Sequence, residues 1–393
     1  MSWFPTTLAP SDPSWSFSAV GLLAVIGGST IEKYKQPITA SFLGGFPRIL
    51  PAPTTLVAPD RPARLPSIPD VTILGVYSGN KFTELNYFAD VIHNIGSLAP
   101  YEFRVYNIEY TGDIEKRDSK LGGPGNQFVS VPVRLLCPLN FVTVISIAMT
   151  AGLLIWAGVI HDGVALVGLG TMALSTSTAC LSSLWYPKLS HRAAGAGVPP
   201  GDIVMKTRGG AFVVVHCPEE ITRELYGGMD TCHYAFNGRP HQLLLASSTI
   251  LLMAAIIFLS NAGRTMQIAI GVAYIILNML YWAIAVLTSE KQTWDMRRYN
   301  VELVKDKPSG QSNYTETLSY AIQETGEIDW VVNGGLAPST KYWMGWLNEA
   351  KANCNNPNWD GVAAKDRWMD LAKNEQSKAS KEGAVQRETS SSS

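Results

Sequence analysis

Four long stretches of the chain lack charged side chains, and they occur as two closely spaced pairs. The stretches cover residues 141–160, 164–185, 243–260 and 266–287. Three residues separate the first two stretches, and five separate the last two. An apolar helix of about 20 residues spans the hydrocarbon core of a bilayer. The pattern therefore predicts transmembrane helical hairpins over residues 141–185 and 243–287, in a chain that crosses a membrane at least four times.

The N-terminal segment, residues 1–31, carries a shorter apolar stretch. Residues 15–28 have a length that fits a helix lying in the membrane plane as well as a span. No Lys or Arg precedes Lys33, so the basic region of a signal peptide is missing. Basic side chains at Lys33 and Arg48 favour a fifth span over residues 15–31, with the N-terminus outside. The alternative is an in-plane helix, which leaves four spans and a cytosolic N-terminus.

Basic residues set the predicted orientation of the hairpins. The segment between them, residues 186–242, holds six Lys or Arg, whereas the two short turns together hold only Arg264. Cytoplasmic loops collect Lys and Arg. We therefore expect residues 186–242 and the C-terminal tail to face the cytosol. Free thiols at Cys217, Cys232 and Cys354 fit such a reducing compartment.

Outside the hairpins, the chain changes to short mixed or alternating stretches. Residues 32–69 form a Pro-rich linker, in which an extended polyproline II spacer is expected from residue 51 onward. Residues 70–135 and 186–242 each predict a small cytosolic α/β region, the second with a ββαβ order. Strands are expected at 71–77, 102–108, 202–207, 211–216 and 231–236, and helices at 83–95 and from Pro218.

The C-terminal tail, residues 288–374, is predicted to be cytosolic, helical and rich in tryptophan. Short helices are expected at 315–325, after Ser339 or Thr340, and at 365–373. The tail holds Trp330, Trp343, Trp346, Trp359 and Trp368. So many bulky apolar groups are not typical of a disordered chain, and we expect them to pack against one another or on the membrane surface. Residues 375–393 are polar and predict a disordered end.

Composition and charge exclude several classes of protein. Charged residues make up only 16% of the chain, below the roughly 25% usual for soluble domains. The net charge of −1 lacks the basic footprint of a nucleic-acid-binding protein. No GxGxxG or GxxxxGK[ST] phosphate loop is present, so no nucleotide or other cofactor is predicted. Five scattered cysteines imply no disulfide framework.

Two His–Cys pairs form the one constellation with metal-binding chemistry, His216–Cys217 and Cys232–His233. Zinc prefers four Cys or His ligands, but neighbours on a strand point to opposite faces, so each pair would supply one ligand. We therefore predict no metal site and expect buried core residues. Cys217 is also a candidate catalytic thiol, because it lies where a strand meets a helix N-terminus. Two glutamates that follow it oppose the lowered pKa that such a thiol needs.

The interiors of the four spans carry no Asp, Glu, Lys, Arg or His. Coupled transporters generally place such groups along their pathways, and a membrane metalloenzyme would need clusters of His at the helix ends. Both classes are therefore disfavoured. The Ser/Thr-rich stretch at residues 175–178 either lines a polar path or serves helix packing. Packing is favoured because hydroxyl groups can bond back to their own helix.

Five segments carry a likeness to known proteins. They read RLLCPLN at 134–140, VIHDG at 159–163, GAFVVVHC at 210–217, GVAYIILN at 271–278 and NWDG at 358–361. The chain resembles a family of uncharacterised multi-pass membrane proteins of filamentous fungi over roughly residues 130–370, and more loosely before them. The resemblance implies a fungal multi-pass membrane protein and supplies no catalytic residues.

The sequence thus predicts an α-helical integral membrane protein with two transmembrane hairpins, a fifth N-terminal span, and small α/β and helical regions outside the bilayer. The leading hypothesis is a non-enzymatic scaffold or regulator whose cytosolic face, with its Trp-rich tail, binds a protein partner or a second copy of the chain. One alternative is a subunit of a channel or small-solute transporter that uses Ser175 and Ser177. The other is a thiol-dependent membrane enzyme that uses Cys217.

Overall fold

The structure, a computed structural model, divides the chain into two compact units. It describes residues 28–57, 61–112, 127–191, 198–228, 230–288, 293–307, 313–356 and 358–391. Unit 1 comprises residues 1–64, 129–188 and 231–296, and unit 2 comprises residues 65–128, 189–230 and 297–393. The predicted N-terminal span, residues 15–31, lies outside the described residues except for its last four, which begin a helix.

Helices and strands alternate along much of the chain. The α-helices are α1 (Gly28–Ala40), α2 (Tyr87–His93), α3 (Pro138–Val159), α4 (Gly163–Ser182), α5 (Glu219–Ile221), α6 (Arg239–Ser260), α7 (Arg264–Leu287), α8 (Tyr314–Thr325), α9 (Asp329–Gly334), α10 (Lys341–Ala352) and α11 (Gly361–Ser391). The strands are β1 (Ile68–Gly75), β2 (Lys81–Leu85), β3 (Phe103–Tyr110), β4 (Gln127–Val129), β5 (Trp185–His191), β6 (Ile203–Thr207), β7 (Phe212–His216), β8 (Asp230–Tyr234) and β9 (Tyr299–Lys307). Short 3₁₀ helices cover Phe42–Gly45, Pro53–Thr55 and Ile95–Ser97, and a π-helical turn, Thr222–Gly227, follows α5.

Unit 1 is built on α3, α4, α6 and α7. These four helices are long and apolar enough to cross a membrane, so the prediction of four such helices is confirmed. Many of their outward side chains are large, apolar and exposed, such as Ile155 at 69% on α3 and Met279 at 65% on α7. Soluble monomers rarely expose continuous apolar surface of this kind. The surface therefore suits an apolar surrounding.

Small and hydroxyl side chains bring the helices of unit 1 into close contact. Gly168 of α4 lies so near to Leu259 of α6 that an added Cβ would come within 2.8 Å of the leucine side chain. Two turns further along, the Ser175 hydroxyl donates to the Ser248 carbonyl at 2.8 Å, and the Ser248 hydroxyl returns a bond to the Ser175 carbonyl at 2.9 Å. Small residues allow such close approach between helices. The predicted packing role of Ser175 is what the structure shows.

Unit 2 contains a six-stranded mixed sheet. Its strand order is β2-β1-β6-β7-β3-β9, and the pairs are antiparallel except for the parallel pair of β3 with β7. In that parallel pair, Phe103 lies opposite Phe212, and Asn107 lies opposite His216. The strands come from three segments that are far apart in the sequence. Strands β4, β5 and β8 form a separate three-stranded sheet in the order β4-β5-β8.

Helices cover both faces of the six-stranded sheet. On one face, Phe103 and Val214 belong to a hydrophobic core shared with side chains from α8 to α11. On the other face, the His93 ring of α2 lies 4.7 Å from the Tyr106 ring of β3, measured between centroids. The His93 Nε2 atom also lies 2.6 Å from the Tyr226 hydroxyl of the π-helical turn. Unit 2 is therefore a three-layer α/β arrangement.

The predicted fold class is wrong. The chain is not an α-helical membrane protein with small appendages, because its described residues combine a six-stranded mixed sheet with the apolar helices. It is a mixed α/β protein. Hydrophobic periodicity identifies each strand separately but gives no information about its partners. Short strands that look like two independent α/β regions can therefore join one sheet, together with a strand from the tail.

Several elements differ locally from the sequence expectation. Residues 83–95, expected as one helix, are divided between the end of β2 and α2, because residues 81–85 pair with β1. The Pro-rich linker is partly folded, with Leu56 fully buried in the core of unit 1. Helix α11 continues past residue 375 to Ser391, and the Ala, Lys, Glu, Gln and Arg residues of that stretch have high helix propensity.

Candidate functional site

His216, at the end of β7, is engaged by two carboxylates. Its Nδ1 atom lies 2.8 Å from Asp202 Oδ2, and its Nε2 atom lies 3.5 Å from Glu324 Oε1. The hydrogen bonds to Asp202 and then to Glu324 raise the pKa of His216 to about 9, although burial opposes this effect. The imidazole is thus charged at neutral pH, and neither nitrogen presents the free lone pair that a metal ion needs.

Cys217 lies in a buried environment, at 6% exposure. Its Sγ atom is 3.1 Å from the Thr222 hydroxyl. Burial raises the pKa of the Cys217 thiol to about 12, with further contributions from the charges of Asp202 and Glu219. Because the thiolate is the nucleophile, this environment disfavours covalent catalysis at neutral pH. Glu219 and Glu220, which are expected to oppose a low pKa of this thiol, follow Cys217 at the start of α5.

The second His–Cys pair lies in unit 1, whereas His216 and Cys217 lie in unit 2. The backbone N–H of Cys232 in β8 donates to the Ala63 carbonyl at 2.9 Å. The His233 ring contacts the edge of the Tyr186 ring, with centroids 5.0 Å apart. Within the described ranges, no group of three or more His, Cys, Asp or Glu side chains could hold a metal ion.

Strand β9 forms one edge of the six-stranded sheet. It pairs with β3 on one side, and none of the described strands pairs with its other side. Side chains from residue 300 to 306 are exposed, including the apolar Val301, Leu303 and Val304 at 37%, 46% and 51%. An uncovered edge is a template for pairing with another chain. The β9 edge is therefore a candidate protein-binding surface.

A bulge divides β9 into two parts. Tyr106 of β3 lies opposite Leu303, and the preceding Val105 lies opposite Lys305, so Val304 is the extra residue. Bulges interrupt the ladder and bend the strand. The regular part of the edge therefore runs from Tyr299 to Leu303, and only this part offers an undistorted pairing surface.

The regular part of the edge has two different faces. On one face Glu302 and Glu109 are both exposed, on neighbouring strands. On the other face Val301 and Leu303 expose apolar surface. A strand added here meets acidic groups on one side and apolar groups on the other, which favours a partner with basic and apolar residues at alternating positions.

The tryptophans of the tail lie in and against the core of unit 2. Trp330 and Trp346 are 1% and 0% exposed. The indole N–H of Trp346 donates to the Gly361 carbonyl at 2.8 Å, and that of Trp330 donates to the Glu327 carbonyl, also at 2.8 Å. Trp343, Trp359 and Trp368 are partly buried against the same core. The tail therefore contributes a structural layer, and its largest apolar groups are committed to packing.

In unit 1, residues 41–50 form a segment without α-helix that packs between apolar helices, and we call it the embedded segment. The Ile49 N–H donates to the Thr150 hydroxyl of α3 at 2.9 Å. The Thr176 and Ser177 hydroxyls of α4 donate to the Arg48 and Gly45 carbonyls. Thr150 lies 12 residues into α3, about 18 Å along its axis. Backbone without α-helical hydrogen bonds that is enclosed between apolar helices needs other protein groups as partners, and these hydroxyls serve as such partners.

Arg48 is the charged side chain of the embedded segment, and it is 1% exposed. Its Nη1 atom donates to the carbonyls of Leu43 at 3.0 Å and Gly44 at 2.9 Å, at the end of a 3₁₀ helix. Its Nε and Nη2 atoms make no well-aligned hydrogen bond within the described residues, although the guanidinium lies beside the Cys180 thiol and the Tyr281 hydroxyl. Arg48, counted above among the basic residues that orient the N-terminal flank, is therefore an interior group.

Neither the β9 edge nor the embedded segment is predicted from the sequence, although the sequence carries a signal for each. Within β9, Val301 and Leu303 alternate with Asn300 and Glu302, which is the period of a strand. Within the embedded segment, the run Gly-Gly-Phe-Pro-Arg at residues 44–48 combines helix-breaking residues with a lone charge between apolar neighbours. Neither signal identifies the partners, which come from distant parts of the sequence.

Comparisons with protein-family models, curated proteins and solved structures found no match to this chain. The resemblance of residues 130–370 to a fungal membrane-protein family therefore stays a prediction. The geometry within each unit is therefore the basis for the function proposed below.

Proposed function

We propose that this chain is a membrane protein that binds a partner protein by adding a strand of the partner to the β9 edge of unit 2. The observation that carries the proposal is the nine-residue edge strand Tyr299–Lys307, exposed along residues 300–306 and unpaired on one side among the described strands. The proposal keeps the expected function of a scaffold or regulator. It assigns partner binding to the β9 edge instead of to the tail tryptophans.

Strand addition accounts for both affinity and selectivity. The main chain of the partner would complete the hydrogen bonds of the edge, and its alternate side chains would meet the two faces of β9. Val301 and Leu303 select apolar residues on one face, and Glu302 selects a basic residue on the other. The bulge at Val304 limits the pairing to residues 299–303.

The four apolar helices of unit 1 support a multi-pass arrangement as part of the same proposal. We place the C-terminal region in the cytosol, because Lys and Arg concentrate between and after the hairpins. The partly exposed Cys354 after α10 provides a test. A membrane-impermeant maleimide should label Cys354 only after cells are permeabilised, with Cys354→Ser as the control for background labelling. Labelling of intact cells would reverse the orientation.

The strand-addition proposal can be tested with synthetic peptides on the full-length protein in detergent. Three sets of decapeptides carry apolar residues at alternate positions, separated by Lys, Glu or Ser. We expect the Lys set to bind most tightly and to slow hydrogen exchange at residues 299–303. Leu303→Lys should weaken binding at least about tenfold, equivalent to about 1.4 kcal/mol. Leu371→Lys is the matched control, because Leu371 is also exposed, at 52%, but lies on α11.

Two results would overturn the proposal. One is that no set binds more tightly than its scrambled sequence. The other is that Leu303→Lys and Leu371→Lys weaken binding equally. A dimer of the chain that dissociates on Leu303→Lys would give a different result. It would show that the strand added to β9 is the β9 strand of a second copy and not a strand of another protein.

A further inference from the structure

We propose that a groove between α3 and α7 of unit 1 binds one acyl chain of an anionic phospholipid, whose phosphate contacts Arg264 at one end of the groove. The proposal rests on the membrane location proposed for the four apolar helices. It is independent of partner binding at β9, because it concerns only groups of unit 1. It assigns one specifically bound lipid to a defined place on the helices.

The groove is an apolar depression with a volume of about 560 Å³, within the usual size range of small-molecule sites. Two turns of α3, from Met149 to Trp156, form one wall, and three turns of α7, from Thr265 to Ile276, form the other. On both helices the lining residues recur mostly every three or four positions, so each helix contributes a single face. An acyl chain in the groove would therefore meet apolar groups on both sides.

Small residues give the groove its depth. Gly152 of α3 and both Ala269 and Ala273 of α7 belong to its lining. A Cβ atom added at Gly152 would meet none of the described atoms within 4 Å, so the space in front of this residue is open. The larger Ile268 and Val272 also line the groove and are 59% and 49% exposed. The depression is therefore recessed between larger side chains and differs from a smooth lipid-facing helix surface.

The length of the groove matches one leaflet of a bilayer. Thr265 and Ile276 lie eleven residues apart on α7, which is about 16 Å along the helix axis. The hydrocarbon core of a bilayer is about 30 Å thick, so one leaflet contributes about half of this thickness. Thr265 is the second residue of α7, and Ile276 lies near the middle of the helix. The groove therefore runs from the end of the span toward its centre, as one acyl chain does.

The polar groups of the groove lie at its outer end. Thr265 carries a hydroxyl, and Trp156, which is 45% exposed and lies three residues before the end of α3, carries an indole N–H. Arg264, the exposed first residue of α7, directly precedes Thr265. Tryptophan is enriched where the apolar core meets the headgroups, and a guanidinium binds phosphate strongly. This end therefore fits the phosphate and ester groups of a phospholipid.

The charge of Arg264 is available for an anion. In the part of the chain that the structure describes, no carboxylate forms an ion pair with it. Asp162, in the turn between α3 and α4, accepts the backbone N–H of Ala165 at 2.9 Å on one oxygen and that of Gly263 at 2.8 Å on the other. Asp162 therefore joins the two turns of unit 1, and a phosphate at the membrane surface complements the charge of Arg264.

Two other occupants compete for an apolar groove of this shape. One is a helix of a second copy of the chain, since small residues favour helix packing in membranes. The other is the apolar stretch of residues 15–27, which lies outside the described residues. Residues 15–27, α3 and α7 carry no Asp or Glu, so neither occupant supplies a partner for the Arg264 charge. A phospholipid matches both the apolar groove and its basic end.

The test is photocrosslinking of the full-length protein in detergent, freed of co-purified lipid, with a phosphatidylglycerol that carries a diazirine in one acyl chain. We expect saturable labelling of the groove residues of α3 and α7. Ile250 and Ile257 of α6, at 66% and 63% exposure, report ordinary lipid contact and should be labelled without saturation. Unlabelled phosphatidylglycerol should compete at least about tenfold better than a diacylglycerol with the same chains, because only the former carries a phosphate.

A matched pair of glycine variants localises the acyl chain. Gly152→Leu fills the groove, and we expect it to lower the affinity of the labelled lipid at least about tenfold. Gly170→Leu is the control, because a Cβ atom at Gly170 of α4 also meets nothing described within 4 Å, but Gly170 does not line the groove. It should leave the labelling of α3 and α7 unchanged.

A matched pair of arginine variants localises the phosphate. Arg264→Gln should lower the affinity for phosphatidylglycerol about tenfold and abolish its advantage over diacylglycerol. Arg239→Gln is the control, because Arg239 is likewise the exposed first residue of an apolar helix, α6. It should keep the preference for the phospholipid. Both arginines are exposed, so neither change should disturb folding.

Results of three kinds would overturn the proposal. Groove labelling that does not saturate, or that Gly152→Leu leaves unchanged, would show ordinary lipid contact. Equal competition by phosphatidylglycerol and diacylglycerol would show that no phosphate is recognised. Cross-links between α3 and α7 of two copies, or groove labelling that requires deletion of residues 1–27, would identify a helix of the protein as the occupant. Peptide binding at β9 is measured separately, so each proposal can fail without the other.

Discussion

Each unit contains a charged side chain that is almost fully buried, and the two are neutralised differently. In unit 2, Glu224 is 0% exposed, accepts hydrogen bonds from the Tyr110 and Tyr299 hydroxyls, and forms an ion pair with Arg298 at 3.2 Å. In unit 1, Arg48 is 1% exposed and is bonded to backbone carbonyls of its own segment. Glu224 is therefore paired with an opposite charge, whereas Arg48 has only uncharged partners among the described groups.

The difference follows from the secondary structure around each charge. A sheet built from distant segments brings polar side chains of different strands and turns together, so Glu224 receives partners from β3, from β9 and from the residue before β9. The apolar helices around Arg48 offer mostly hydroxyl groups and their own bonded backbone. A charge in such a unit depends on carbonyls at helix ends and on nearby thiol and hydroxyl groups. Four predictions test this difference between the two units.

The largest effect is expected in the core of unit 2, at Trp346. Trp346→Ala removes a fully buried ring and the bond from its indole N–H to the Gly361 carbonyl. We expect the free energy of unfolding to fall by about 3–5 kcal/mol, as for other large-to-small core substitutions. Urea unfolding in detergent, followed by circular dichroism, measures it. Leu371→Ala, at an exposed site on α11, should cost far less, and equal losses would show that the tail is not part of the core.

The second prediction concerns the buried carboxylate. Glu224→Gln keeps the shape of the side chain but removes the charge that faces Arg298, which is only 14% exposed. We expect a loss of about 2–3 kcal/mol, because hydrogen bonds to charged groups are among the stronger ones. The exposed Glu302→Gln serves as the control and should change stability by less than about 0.5 kcal/mol. If Glu224→Gln lowers the free energy of unfolding by less than about 0.5 kcal/mol, the ion pair with Arg298 does not stabilise unit 2, and the two buried charges do not differ in this respect.

The third prediction tests close helix packing in unit 1. A methyl group at Gly168 would meet the Leu259 side chain at 2.8 Å, whereas one at Gly170 would meet nothing within 4 Å. Gly168→Ala should therefore destabilise the protein by about 1–3 kcal/mol through overpacking. Gly170→Ala, on the same helix, should be neutral or stabilising by up to about 1 kcal/mol, because alanine favours a helix. Thermal midpoints in detergent compare them, and equal midpoints would contradict close packing of α4 on α6.

The smallest effect is expected at the partly buried His216 ion pairs of unit 2. The folded-state pKa of His216 is raised from 6.5 to about 9, mainly by Asp202 and then Glu324. Its stabilisation is fully present below pH 6.5 and is lost as the pH rises to about 9. The pKa of Glu324 is lowered from 4.5 to about 2, first by His216, so its contribution is present above pH 4.5 and is lost toward pH 2.

Thermal midpoints of the wild type and His216→Gln between pH 6 and pH 10 test this pH dependence. The wild type should lose an advantage on the order of 1 kcal/mol, because solvent screens a partly exposed pair. The variant should show no such loss over this interval. His233→Gln, on β8, is the matched control and should keep the wild-type dependence. A constant difference between the wild type and His216→Gln would contradict the ion-pair assignment.

Much of the local structure follows from the sequence, and the candidate surfaces do not. The four apolar helices, the strand near residues 211–216 and the helix that Thr340 caps are all readable from hydrophobic pattern and capping residues. The sequence predicts a helical tail where β9 lies, because the exposed alternating residues of β9 lack the apolar content of a buried strand. The sequence predicts that the embedded segment lies within the Pro-rich linker of residues 32–69, because glycines and prolines are typical of loops.

The sequence alone shows that four helices are apolar enough for a bilayer, since length and side-chain composition decide that property without any partner. The three-dimensional structure was needed to show that three separated segments share one sheet, that tail tryptophans pack in its core, and that Arg48 is enclosed between helices. These properties depend on pairing between residues about a hundred positions apart. Hydrophobic periodicity describes one element at a time, and it carries no information on which distant groups will satisfy a strand edge or a buried charge.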